Sequence, residues 1–253
     1  VDAKKLQPSG GRNVITRVHC PSTQDIVREE ALAGAPAGTV AVTDHQTAGR
    51  GRRGRSWVDT PGKALMFSYL ARPVRPLAEL STLSLVVGVA VCESLPVATR
   101  LRWPNDLVVG GAKVAGILVE LVTPPSGQAL AIIGIGVNAN LTADELPPTD
   151  RLPATSLLLE GAGEVDRVQL LSTIAAALDH ALLEFDATGF AGVLDRYHAL
   201  DGLRGHAITL RVGTRTLAGV AAGVDPKGRL LLRIADGSTQ AFSAGEVERV
   251  LDE

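Results

Sequence analysis

The sequence is poor in the residues that usually announce an enzyme. Two cysteines, Cys20 and Cys92, are too few for a disulfide framework and show no clustering with histidine, so a reducing compartment is the default. The five histidines (His19, His45, His180, His198 and His206) form no metal-spaced pair, and no G-x-S-x-G elbow occurs. Covalent catalysis is not signalled, which leaves chemistry driven by positioning and electrostatics. Excess charge of one sign is also missing: 25 Lys and Arg face 27 Asp and Glu, a net charge of -2. Any attraction to nucleic acid or an anionic membrane must therefore be local. The start, "VDAKKLQPSGGR", has no apolar core of signal-peptide length. The longest apolar run, 77–95, carries Glu79, Glu93 and three serines between Pro76 and Pro96, which predicts a buried helix, not a membrane span. A cytoplasmic protein with no membrane partner is expected.

What is present is globular in composition, 45% hydrophobic and 21% charged, enough for one large domain with a small module. Ser22 opens "STQDIVREEAL" with a hydroxyl cap, predicting a first helix. Strand-like runs occupy 40–43, 64–70, 99–109, 112–121 and 129–138, with Gly110-Gly111 suited to a tight hairpin. Helical spacing returns at 166–185 and 189–199, where Leu170, Ile174, Leu178 and Leu182 fall on one stripe. After about 205, four short strand-like pieces separated by "DPKG" and "DG" suggest a small barrel. The predicted division is a mixed main domain, 1–203, and a β module, 204–253.

Three stretches carry chemistry. "GRGRRGR" at 49–55 alternates flexible glycine with planar cationic donors. It suits a polyphosphate, offers weak salt-sensitive binding to nucleic acid, or is a solvated loop. In "RWPNDLVVGGAKVAGILVEL" (102–121), strict alternation puts Lys113 on one face with Ala115, Ile117, Val119 and Leu121. A lysine entering so apolar a strand needs an anionic partner, unless it bends to solvent at the strand end. In "GIGVNAN" (134–140), Gly134, Gly136 and Asn138 alternate onto one face. That bare strip receives either a flat ligand or a closely packed helix. The two tryptophans, Trp57 and Trp103, flank these stretches.

Together, "GRGRRGR" and "RWPND", with Lys113 seven residues beyond the aspartate and "KVAGILVEL" and "GIGVN" after it, resemble the biotin protein ligases. The resemblance covers nearly the whole chain and implies an α+β fold: a class II aminoacyl-tRNA synthetase-like domain, a mixed sheet with flanking helices, then an SH3-like barrel. It implies that biotin and MgATP give biotinyl-5′-AMP and pyrophosphate, and that the biotin then passes to a lysine of a biotin carboxyl carrier domain of acyl-CoA carboxylases. It places Ser22, Thr23, Gln46, Gly49, Arg50, Arg52, Lys113 and Gly116 against biotin. It places Arg50, Arg52, Arg53, Arg55, Trp57, Asn105, Lys113 and Asn138 against ATP or the adenylate. Lys113, Arg52 and Asp106 are the expected catalytic set, with Asp106 either pairing Arg52 or assisting the acceptor lysine. The arginine loop is expected to close over the adenylate. No protein metal site is implied beyond Mg²⁺ with ATP. Position 102 is arginine where many relatives have lysine, which keeps the charge. Only 21 residues precede Ser22, too few for a winged helix-turn-helix, so no DNA partner is expected. A lipoate–protein ligase shares the fold and the lysine and is the nearest rival.

Overall fold

The computed structural model describes residues 11–124, 127–147 and 152–251. Its main sheet contains β1 (Val14–Cys20), β2 (Val40–Gln46), β3 (Leu65–Ala71), β4 (Arg100–Arg102), β5 (Asp106–Val109), β6 (Ala112–Val122) and β7 (Leu130–Val137). The order is β1-β2-β3-β7-β6-β5-β4, with β1 parallel to β2 and the other pairs antiparallel. All seven residues of β3 are buried, as a strand covered on both faces requires.

One face of the sheet packs Ile117, Ile133 and Ile135 into the main core with α2 (Leu83–Ser94) and α3 (Arg167–Thr188). The opposite face packs Leu70, Leu130 and Ile132 against Val27 and Ala31 of α1 (Thr23–Leu32). α1 starts where the sequence predicts, because the Ser22 hydroxyl accepts the Gln24 N–H at 3.3 Å, a cap worth about 1 kcal/mol. α3 is long and apolar enough to cross a membrane on length and composition alone. Here it buries Leu170, Leu171, Ile174, Leu178 and Phe185 as a core helix, and α4 (Leu194–Leu200) follows it.

Three local features differ from the sequence reading. β1 was not predicted; Arg17, Val18 and His19 are exposed on this edge strand, so no period-2 apolar pattern marks it. The 99–109 run reverses at Pro104-Asn105 into β4 and β5, which pair Arg102 with Asp106. A bulge on β6 sets Lys113 opposite Val108 and Ala115 opposite Leu107, leaving Val114 as the extra residue. Alternation therefore breaks, and Lys113 joins the face of Gly116, not that of Ala115 and Ile117.

The module is an antiparallel sheet of β8 (Ala207–Val212), β9 (Arg215–Val224), β10 (Leu230–Arg233), β11 (Thr239–Phe242) and β12 (Glu246–Val250), ordered β11-β10-β9-β8-β12. It is the SH3-like part of the fold. Its Ile208, Leu210, Leu232 and Val247 belong to the main core cluster. Trp103 Nε1 donates to the Gly228 carbonyl at 3.2 Å, and Arg102 Nη2 donates to that of Val247 at 3.3 Å.

Candidate active site

On the α1 side of the sheet the large apolar residues stop partway along the central strands. Below lie Leu130 and Ile132; above, Gly134 and Gly136 of β7 and Gly116 of β6 leave the backbone bare. A Cβ on Gly134 would stand 2.9 Å from Gln24 of α1, and one on Gly136 would stand 2.5 Å from the Trp57 indole. A side chain of α1 covers one end of the glycine strip, as the packed-helix reading expects, and the protein's own Trp57 ring lies on the other.

Ser22, Thr23, Gln24, Gln46, Arg50, Arg52, Trp57, Ser68, Asn105, Lys113 and Gly116 line a cavity of about 60 Å³ above this floor. It opens beside a roomier lobe of about 230 Å³ lined by Arg52, Arg53, Arg55, Trp57, Asn105, Asp106, Lys113, Asn138 and Glu246. The Trp57 indole lies over the glycine floor and borders both lobes.

At the inner end the polar groups form one chain. Gln46 Oε1 accepts from the Thr23 backbone N–H at 2.8 Å and from its hydroxyl at 3.2 Å, and Thr23 Oγ1 lies 2.8 Å from Ser68 Oγ. Gln24 Nε2 donates to the Leu118 carbonyl at 3.1 Å. Thr23 and Gln46 are the predicted residues; Gln24 and Ser68 were missed. Gln24 had a signal, standing next to Ser22 and Thr23 in the first turn, while Ser68 needed the strand register.

At the mouth, Lys113 Nζ forms an ion pair with Asp106 Oδ1 at 2.5 Å and sits 5.3 Å from the Trp57 ring centroid. Arg52 Nη1 donates to Asn105 Oδ1 at 3.1 Å. In the free protein Asp106 takes neither expected partner: it pairs with Lys113, and Arg52 goes to Asn105. Burial, then the nearby Arg53 charge, lowers the Arg52 pKa. Asn138 donates to the Thr155 carbonyl at 2.9 Å and is buried, securing the segment that pairs with Lys113.

The arginine loop is folded on itself. Arg50 bridges to Ser56, and the Trp57 N–H donates to the Gly49 carbonyl at 2.9 Å. A Cβ at Gly49 would meet the Trp57 carbonyl at 2.5 Å, so only glycine lets the two limbs approach. Arg50 pairs with Asp25 at 2.8 Å and stands 3.5 Å from Glu120. Arg53 and Arg55 turn to Glu246 of the module, at 3.2 and 2.7 Å. Glu246 was not anticipated; in "GEVERV" it reads as one acid of an amphipathic strand.

Comparison with known proteins places this geometry. The Biotin/lipoate A/B protein ligase family pattern matches residues 15–140, and the Biotin protein ligase C terminal domain pattern matches residues 205–250. The biotin--[acetyl-CoA-carboxylase] ligase of Mycobacterium tuberculosis is 32% identical over 249 residues, 94% of this chain and 90% of that one. The chain belongs to the biotin protein ligase family. It is an enzyme, and the reaction is biotin ligation. Among solved structures, the Aquifex aeolicus biotin protein ligase in complex with biotin and ATP superposes with a TM-score of 0.77 at 29% identity, covering 94% of this ligase and 99% of that chain. The Leishmania major biotin protein ligase in complex with biotinyl-5-AMP gives a TM-score of 0.58 at 25% identity, covering 92% and 99%.

Proposed function

We propose that this ligase activates biotin as biotinyl-5′-AMP and passes it to a lysine of a biotin carboxyl carrier domain of an acyl-CoA carboxylase. The observation that carries the reading is the Lys113 ammonium, held by Asp106 where the glycine-floored lobe meets the arginine-lined one. In the first step a carboxylate oxygen of biotin attacks the α-phosphorus of ATP, the bond to the bridging oxygen breaks, and pyrophosphate leaves. Two anions must meet for this, and fixed cations lower that barrier without reorganising. Lys113 is placed to bridge the carboxylate and the phosphate. Arg52 stands across the cleft beside Asn105, and the Thr23–Gln46–Ser68 chain offers hydrogen bonds to the ureido ring. Magnesium enters as part of MgATP. Asp106 and Glu246, the carboxylates lining the cleft, are already paired with cations, and among the described residues no group of three possible ligands converges.

In the second step the neutral carrier amine attacks the acyl carbon, AMP leaves with the electron pair, the nitrogen gives up a proton to solvent, and an amide forms. The relatives support this reading: one is named for acetyl-CoA carboxylase, and solved neighbours hold biotin with ATP and biotinyl-5-AMP. The test is pyrophosphate release from purified protein with MgATP and either biotin or lipoate, followed by labelling of a carrier domain. Release with biotin, abolished in Lys113→Ala while the fold persists, is the expected result. Near-normal adenylation by Lys113→Ala removes the assigned role; a preference for lipoate removes the substrate.

A further inference from the structure

Glu246 poses a physical question. Its carboxylate is 5% exposed and lines the cleft in which a polyphosphate is proposed to bind, where a bare negative charge would repel the ligand. It is not bare. Arg53 and Arg55 reach it from the loop, and Arg211 of β8, its cross-strand neighbour, reaches Oε2 at 2.5 Å. Arg53 is also the one described residue other than glycine with a positive φ, 58°. That left-handed conformation is strained for a side-chain-bearing residue and persists only where surrounding contacts hold it. The hairpin turn holds the backbone there, with the Arg55 N–H on the Arg52 carbonyl and Gly54 also at positive φ, and the turn aims the Arg53 side chain at Glu246.

We propose that Glu246 is a latch: in the free protein it holds Arg53 and Arg55 on the C-terminal module, and a polyphosphate entering the cleft takes both guanidinium groups from it. Arg211 stays behind. Stripping a buried carboxylate of its partners strands the charge, and the cross-strand arginine prevents that, so the two loop arginines are free to leave. Glu246 thus acts as a positioning residue, touching the loop and not the reacting atoms, and it makes loop position depend on the module. The inference rests on the nucleotide reading above only for the identity of the competing anion.

Trypsin, which cuts after arginine, reads the latch without ligand. Glu246→Gln should speed loop cleavage severalfold, and Arg211→Gln should slow it, because Glu246 then depends on the loop arginines alone. Destabilisation of the module would speed both, so opposite signs are the signature. Added salt should speed cleavage of the parent and not of Glu246→Gln. Inorganic triphosphate, measured by calorimetry, should bind Glu246→Gln severalfold more tightly than the parent. If Glu246→Gln does not fold, Arg53→Gln with Arg55→Gln frees the loop from its other side, read as faster cleavage at Arg52. Changes of the same sign in the two single variants, or triphosphate binding unchanged or weaker in Glu246→Gln, overturn the latch even in a protein that makes biotinyl-5′-AMP. Opposite signs and tighter triphosphate binding in a protein that makes none uphold the latch and overturn the proposed function.

Discussion

The Lys113–Asp106 pair is a charge-assisted contact at the cleft mouth, 27% and 12% exposed. Such contacts contribute about 1.5–3 kcal/mol, so Asp106→Asn should slow adenylation by roughly tenfold or more through a misplaced ammonium. Pyrophosphate release in a single turnover checks this; an unchanged rate would show that Lys113 needs no holder. Gly136 is the second sensitive point. Adding a methyl there drives into the indole of Trp57, and overpacking of this kind costs about 1–3 kcal/mol. Gly136→Ala should therefore shift the Trp57 fluorescence and weaken biotin binding about tenfold. Cysteine chemistry plays no part at this scale. Burial pushes the Cys92 thiol up to about 12, so its thiolate fraction near pH 8 is about 10⁻⁴, and alkylation of Cys92 should be negligible until the protein unfolds.

Among the elements, the segment linking the arginine loop to β3 is tied to the end of β2 by Asp59, whose carboxylate lies 3.2 Å from the His45 ring. Burial raises the Asp59 pKa against the pull of His45. A carboxyl raised on folding holds its proton more tightly in the native state. It favours folding at low pH and loses that contribution as pH climbs through its raised value. The stability of Asp59→Asn relative to the parent should thus improve in urea titrations as pH rises above the ordinary carboxylate range of about 4; a constant difference would show that Asp59 is not raised on folding. The helices and most strands were legible because their cues are local: a capping hydroxyl at Ser22, apolar spacing along α3, and turn glycines at Gly110-Gly111. β1 was not legible, since it is an exposed edge held by the ladder to β2. The face of Lys113 was misread because a bulge is a property of two strands: the alternation rule counts residues on one strand, while Leu107 and Val108 on the other set the slip.

For the molecule as a whole, the module is joined to the main sheet through Trp103, Arg102 and a continuous core. A single calorimetric unfolding transition is expected; two resolved transitions would mean that the module folds and melts on its own. The sequence by itself determined a main domain of mixed strands and helices with a small β module behind it, the placement of the cationic loop, the lysine and the bare glycine strip, because glycine, arginine and periodic apolar residues carry their physics in short stretches. Only the tertiary structure decided where the charges go: Arg50 to Asp25, Arg52 to Asn105, Lys113 to Asp106, and Arg53 and Arg55 to Glu246, which lies 191 residues beyond Arg55. A counter-ion is chosen by distance in space and by how much water is excluded around it, and neither quantity exists until the chain has folded.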